Sequence, residues 1–331
     1  MIIRLISNTS EAEAQLLAEQ HQAFYLFDNG HTLVTSSGLK EVPESLKAFT
    51  EKSWTFANDM QLASRTYQAE TRRISFGKTS IGGNSQQTVL IGGPCSVESE
   101  EQLESAAQLL VKLGLNTLRG GAYKPRTSPY SFQGMGLEGL QLLAKMRDKY
   151  GLTVITEARD ATHIEEIIEH TDIIQIGAKA MYDQGILRAC AKITKPVLIK
   201  RGFGTTLQEL VQAAEFILSG GNQNVMVCER GIRTFETGTR FTLDLCGVAW
   251  LKEHTNLPVI LDPSHAMGYA YGVPSLAKAC VAMGIDGLLI ETHPNPKVAK
   301  SDASQQLTFE AFEQLYRELQ PVAAAVGYRI V

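Results

Sequence analysis

From about residue 89 onward, short apolar runs alternate with longer amphipathic stretches. VLIGGPC (89–95), NTLRGGA (116–122), TVITEA (153–158) and IIQIGA (173–178) come first. PVLIKRG (196–202), VMVCERG (225–231), PVILDPSH (258–265) and GLLIETH (287–293) follow. Runs this continuously apolar predict strands buried on both faces, hence a parallel sheet. The stretches between them read as helices. In 99–113, Leu103, Ala106, Ala107, Leu110 and Leu113 fall on one stripe, and Gly114 supplies a C-cap. The segments 206–218, 273–283 and 309–319 repeat the pattern. Eight strand–helix units at intervals of about 28 residues are the number that closes an α/β (β/α)8 TIM barrel. The competing open doubly wound sheet lacks a GxGxxG after its first strand.

Residues 1–70 follow a different pattern. MIIRLIS reads as a strand, SEAEAQLLAEQHQ as a helix, and AFYLFDNGHTLVTSS as a hairpin turning at Asn29-Gly30. VPESLKAFTEK then reads as a second helix and SWTFAND as a last strand. The order βαββαβ predicts a small α+β ferredoxin-like domain. TRRISFGKTSIGGNSQ (71–86) reads as a hairpin and linker. The expected division is therefore 1–71 for the small domain and 72–331 for the barrel. A chain of 331 residues agrees, since one core rarely grows past about 300 residues.

Composition narrows the function. Apolar residues make up 44% and charged residues 20%, which excludes a mostly disordered chain. The net charge of −4 argues against a nucleic-acid partner, though a local basic cluster could still hold small anions. Five cysteines without a CxxC pair form neither a disulfide framework nor a zinc ribbon. The N-terminus turns polar after six residues, and no apolar run approaches a membrane span, so a soluble, cytoplasmic protein is expected.

Polar residues interrupt the apolar runs at one end only, the C-terminal end, where a barrel builds its site. Two chemistries separate among them. Arg119, Lys124, Arg126, Lys179, Lys200, Arg230 and Arg233 form a cation cluster suited to phosphorylated, carboxylated substrates. Cys95, His265, Glu291 and Asp302 combine a thiol, an imidazole and two carboxylates, a set that suits Mn, Fe, Co or Zn. The competing readings are a small buried hydrophobe for Cys95 and rim salt bridges for the charges, including Lys200-Arg201 and Glu229. The other cysteines, Cys190, Cys228, Cys246 and Cys280, read as packing residues.

The motifs GGPCSVES (92–99), LRGGAYKPRTSPYSFQG (118–134), IQIGA (174–178), LIKRG (198–202), CERGIRTFE (228–236), LDPSHAMG (261–268) and IETHPNPKVAKSDASQ (290–305) occur in one ordered series. In this series the chain resembles the 3-deoxy-D-arabino-heptulosonate 7-phosphate (DAHP) synthases, in the branch related to 3-deoxy-octulosonate 8-phosphate synthase. The resemblance implies a transferase that condenses phosphoenolpyruvate with erythrose 4-phosphate in the shikimate pathway. It implies Cys95, His265, Glu291 and Asp302 as metal ligands, and Arg119, Lys124, Lys179, Lys200 and Arg230 as phosphoenolpyruvate binders. Arg126, Thr127 and Asp262 would meet the aldose phosphate. Catalytic roles fall to Lys124, His265 and Asp302, with Lys124 the leading proton-transfer group, its pKa expected to be depressed by flanking cations. A homotetramer, and a Tyr or Phe effector bound by the N-terminal domain, are implied as well.

Two segments depart from the family pattern. Lys179 stands where Arg is usual, keeping the charge but losing bidentate geometry. Tyr269, Ala270 and Tyr271 stand where basic residues commonly follow the Asp-Pro-Ser-His stretch. The alternatives are an octulosonate-type synthase using arabinose 5-phosphate, and a non-catalytic sensor of phospho-sugars or aromatic amino acids.

Overall fold

A computed structural model describes residues 1–124 and 128–331. The first unit runs β1 (Ile2–Leu5), α1 (Glu11–Gln20), β2 (Phe24–Phe27), β3 (His31–Val34), α2 (Glu44–Lys47) and β4 (Thr50–Trp54). Its four strands pair antiparallel in the order β2-β3-β1-β4, which is compatible with a ferredoxin-like arrangement. The hairpin turns as expected, with Asn29 and Gly30 at φ of 54° and 138°. Met1, Ile3, Leu5, Leu33 and Leu46 pack with Ala14, Leu17 and Ala18 of α1 on one face. Ile2, Leu26 and Val34, from the other face, join the core shared with the barrel.

The second helix departs from its expected length. It stops after one turn, because β4 pairs with β1 from Thr50 to Trp54 and claims residues whose local sequence favours helix. The segment that follows lies against the barrel. Glu215 accepts the backbone N–H groups of Gln61, Leu62 and Ala63 at 2.6, 3.1 and 2.7 Å.

The hairpin of β5 (Arg73–Phe76) and β6 (Thr79–Gly82) closes one end of the barrel. Its Ile74, Phe76 and Ile81 pack inside against Val89, Ile155, Ile173, Leu198, Met226, Ile260 and Leu289, one or two from nearly every barrel strand. Those strands are β7 (Gln87–Gly93), β8 (Thr117–Arg119), β9 (Thr153–Ala158), β10 (Ile173–Ile176), β11 (Val197–Lys200), β12 (Val225–Glu229), β13 (Val259–Leu261) and β14 (Gly287–Glu291). All pair parallel in sequence order, and β14 returns to β7 with Gly287 opposite Val89, which closes the eight-stranded barrel. The short β15 (Arg329–Ile330) lies beside β7.

Around the barrel lie α3 (Glu100–Lys112), α4 (Leu137–Tyr150), α5 (Ile164–His170), α6 (Gln184–Ala191), α7 (Leu207–Ser219), α8 (Leu245–His254), α9 (Pro263–Met267), α10 (Val273–Ala282) and α11 (Phe309–Ala325). Ser99 caps α3, and a Thr206–Glu209 capping box starts α7. Among the described residues no helix is long and apolar enough to cross a membrane. Of the cysteines read as packing residues, Cys190, Cys228 and Cys280 are buried, but Cys246 is exposed. It follows directly on the first residue of α8, and its side chain lies outside the core.

Candidate active site and metal centre

Each strand ends where the charges begin. Cys95 follows β7 after a turn at Gly93 (φ 141°), where a Cβ would lie 2.1 Å from the Arg119 carbonyl oxygen, so only glycine fits. Arg119 ends β8, Lys200 ends β11, and Glu291 ends β14. Lys124 sits in the loop after β8, and Lys179 in the short turn Ala178–Ala180 after β10. Asp262 caps α9 by accepting the His265 N–H at 3.0 Å, which points the imidazole back over the barrel. Asp302 lies in the loop after β14. Arg126 and Thr127 lie outside the described residues.

Cys95, His265, Glu291 and Asp302 converge, with one ligand atom from each lying within 4.8 Å of all the others. His265 Nε2 is 3.4 Å from Glu291 Oε1 and 3.8 Å from Asp302 Oδ2, and Cys95 Sγ is 3.5 Å from Asp302 Oδ2. The set fits a divalent ion on chemical grounds. Burial is the main influence that pushes the Cys95 thiol up to about 12, so a nearby positive charge is needed to make it a thiolate. Burial also holds His265 below its ordinary value, as a neutral imidazole with a lone pair to offer. For Glu291 burial works upward, but His265 and Arg119 outweigh it and keep the carboxylate below its usual range. Glu291 and Asp302, two carboxyl groups with ligand atoms within 4.8 Å, suit a cation between them.

The cations divide into two layers. Arg119 is fully buried at the floor, its Nη1 2.6 Å from Glu291 Oε1 and 2.8 Å from the Pro94 carbonyl. Lys124 Nζ donates to the Cys95 carbonyl and Sγ at 3.1 and 3.2 Å. Burial works to lower its pKa, but Cys95, Glu157 and Glu291 outweigh it, and the net direction is upward. The expected depression is thus reversed, because Cys95, Glu157 and Glu291 together outweigh burial and the one opposing cation, Arg119. Above Arg119, the residues Lys124, Lys179, Lys200, Arg230 and Arg233 line a cavity of about 430 Å3 together with His265 and Asp302. Asp262 is absent from that lining. Both its oxygens are engaged, Oδ1 by the His265 N–H at 3.0 Å and Oδ2 by Lys200 Nζ at 2.5 Å and His265 Nδ1 at 2.7 Å. Burial works to raise its pKa, but these contacts with His265 and Lys200 outweigh it and hold the carboxyl well below the usual carboxylate range.

Some charges at the strand ends take the rim role instead. Arg201 Nη1 lies 2.8 Å from both Glu229 Oε2 and Asp244 Oδ2, a three-residue cluster outside the cavity lining. Other residues line the cavity without having been anticipated: Glu157, Phe203, Arg240 and Phe241. Phe203 and Phe241 stack at 5.5 Å and support the guanidinium groups, Arg233 over the first ring at 4.8 Å and Arg230 over the second at 4.5 Å. Glu157 lies inside an apolar run, where an acid between buried strand residues was the available signal. Arg240 and Phe241 lie in a loop with no periodicity to mark them. Tyr269 and Tyr271 stack at 5.9 Å and are exposed.

Residues 64–326 match the DAHP synthetase I family. The phospho-2-dehydro-3-deoxyheptonate aldolase of Thermotoga maritima is 45% identical over 270 residues, covering 82% of this chain and 79% of that protein. A 2-dehydro-3-deoxyphosphooctonate aldolase of Francisella tularensis is 33% identical over 258 residues, covering 72% and 93%. Among solved structures, a DAHP synthase of Thermotoga maritima superposes with a TM-score of 0.81 at 38% identity, covering 100% of this chain and 99% of that one. A truncated form of the Thermotoga enzyme gives 0.76 at 41% identity, covering 82% and 98%.

Proposed function

The chain belongs to the DAHP synthetase I family, and from that premise we propose how its residues carry the family's reaction. The protein is a transferase that condenses phosphoenolpyruvate with erythrose 4-phosphate, giving DAHP and inorganic phosphate. The observation that carries the residue-level reading is one mouth in which four ligand atoms lie within 4.8 Å beside a cavity lined by Lys124, Lys179, Lys200, Arg230 and Arg233.

Cys95, His265, Glu291 and Asp302 hold a divalent ion, with Mn, Fe, Co and Zn all compatible with the donors. When bound, the ion supplies a Lewis acid for the aldehyde oxygen of erythrose 4-phosphate. Asp262 fixes the His265 ring so that Nε2 faces the other ligands. Lys179, Lys200 and Arg230 neutralise and orient the phosphate and carboxylate of phosphoenolpyruvate, with Arg119 beneath them. C3 of phosphoenolpyruvate then forms the bond to the aldehyde carbon, while C2 takes a hydroxyl from water, whose released proton balances the one delivered to the former aldehyde oxygen. The resulting phosphohemiketal expels phosphate by C–O cleavage and becomes the ketone. Lys124 stays protonated, because its net pKa direction is upward. It is thus a proton donor to the oxygen that was the aldehyde. Arg126 and Thr127 are assigned to the aldose phosphate, whereas Asp262, outside the cavity lining and with both oxygens engaged, keeps to positioning His265 and Lys200.

Residues 1–71 are assigned to control, through binding of Tyr or Phe in a tetramer, and 72–331 to catalysis. Octulosonate-type chemistry is the second reading, favoured by relatives of that name at 33% identity. One assay separates them: phosphoenolpyruvate consumption with erythrose 4-phosphate or arabinose 5-phosphate, with and without a chelator, and with added Tyr or Phe. Turnover should require erythrose 4-phosphate, stop on chelation and return with a divalent ion. Preference for arabinose 5-phosphate overturns the acceptor, turnover surviving complete metal removal overturns the ligand set, and no turnover with any metal favours a sensor. Indifference to both amino acids overturns the control assignment.

A further inference from the structure

The loop after β14 carries two consecutive buried glutamines that do unlike work. Gln305 and Gln306 are 1% and 2% exposed, although neutral amides gain nothing from burial unless every polar atom is paired. Gln305 Nε2 donates to Glu291 Oε2 at 2.6 Å, and its Oε1 accepts from Arg240 Nη1 at 2.8 Å. Gln306 Oε1 accepts the Cys95 backbone N–H at 3.0 Å, and its Nε2 donates to the Ser301 carbonyl at 2.9 Å. The partners settle both amide orientations, since a carboxylate only accepts and a guanidinium only donates.

Between the anchors stands Asp302, at φ 44°, a left-handed conformation that a non-glycine residue holds only when its surroundings impose it. Gln305 N–H donates to the Asp302 carbonyl at 3.3 Å, and Arg240 Nη1 lies 3.5 Å from Asp302 Oδ2. Glu291 is gripped from two sides, Oε2 by Gln305 and Oε1 by Arg119. Three of the four proposed ligands therefore meet one dipeptide.

We propose that Gln305 and Gln306 are positioning residues for the metal ligands, Gln305 setting the Glu291 carboxylate and Gln306 setting Cys95 and the turn that presents Asp302. The proposal rests on the ligand set assigned above. A hydrogen bond that orients a ligand typically tunes affinity about 10–100-fold. The neutral amide orients Glu291 without competing for the ion, as a second carboxylate at that place would.

The test uses the full-length protein with its metal removed and Co(II) added. Affinity is read by competition with a chromophoric chelator. Geometry is read from the visible d–d bands and the near-ultraviolet thiolate-to-Co(II) band. Gln305→Met should bind Co(II) about 10–100-fold more weakly, with altered d–d bands and the thiolate band retained. Gln306→Met should weaken the thiolate band itself. Gln305→Asn, too short to reach both partners, serves if the methionine variant fails to fold, and should shift the d–d bands in the same direction. Wild-type affinity and spectra in folded variants overturn the positioning role while leaving the ligand set intact. Absence of a thiolate band in the wild-type protein overturns the Cys95 assignment and the proposal with it.

Discussion

The two ends of the barrel are made from the same strands and are opposites in chemistry. At one end Ile74, Phe76 and Ile81 of the β5–β6 hairpin fill the barrel interior with apolar contacts. At the other, Arg119, Lys124, Lys200, Asp262 and Glu291 are all buried or nearly so, and the stability of each charge depends on its neighbours. Burial of apolar area stabilises without any geometric condition, whereas a buried charge costs several kcal/mol unless it is paired. One end therefore supports the fold, and at the other the buried charges are held by ion pairs. Substitutions should separate the two.

The largest expected effect lies at Arg230. It is 5% exposed, its Nε has no hydrogen-bond partner, and among the described residues no carboxylate lies within 4.0 Å of its guanidinium. Burial lowers its pKa, by more than the favourable influence of Asp262 restores. Arg230→Met should reduce kcat/KM for phosphoenolpyruvate about 1,000-fold, on the order of 4 kcal/mol, through loss of charge-assisted phosphate contacts. The melting temperature should stay level or rise, because an unpaired buried charge is exchanged for an apolar side chain of similar reach. A marked fall in melting temperature with activity intact would reverse the division between the two ends.

Phe76→Ala should do the converse. Removing a buried aromatic ring from the barrel interior costs about 3–5 kcal/mol. Urea unfolding should report that loss, while kcat and KM per folded molecule stay at wild-type values. A change in KM at constant stability would mean that the hairpin reaches the mouth through the barrel, and the two ends could no longer be treated separately.

The contrast between the ends also explains what could be read from sequence. Apolar runs declare themselves, so all eight barrel strands and the closing hairpin were legible, and the ordered motifs marked the residues that converge at the mouth. The failures have a common origin in side chains whose direction depends on tertiary context. Lys200 and Arg201 are adjacent and both cationic, yet one faces Asp262 within and the other faces Glu229 and Asp244 at the rim. Glu157 was counted with its strand, although it lines the cavity. Arg240, Phe203 and Phe241 lie in loops without periodicity, and Gln305 carries no charge to draw notice. The second helix of the small domain was cut short by pairing between β4 and β1, a long-range contact that local propensity does not contain.

The smallest effect tests whether a third region, the joint between the two units, behaves like either end. Glu215 of α7 is pushed up to about 7, chiefly by burial, with the backbone N–H groups of Ala63, Gln61 and Leu62 pulling the other way. In the folded chain the carboxyl thus keeps its proton to higher pH than in the unfolded chain, whose value is near 4.5. The folded state binds more protons between these values, so its stability is greatest below pH 4.5 and falls as pH rises toward 7. Complete sequestration would make this loss about 3 kcal/mol, and a half-buried side chain brings it to about 1 kcal/mol. Glu215→Gln cannot ionise, so unfolding curves of the two proteins should diverge from pH 4.5 to 7, the wild type losing about 1 kcal/mol relative to the variant. Activity at saturating substrate should be the same in both. Parallel stability profiles across that range would place the joint with the apolar end of the barrel, as packing alone.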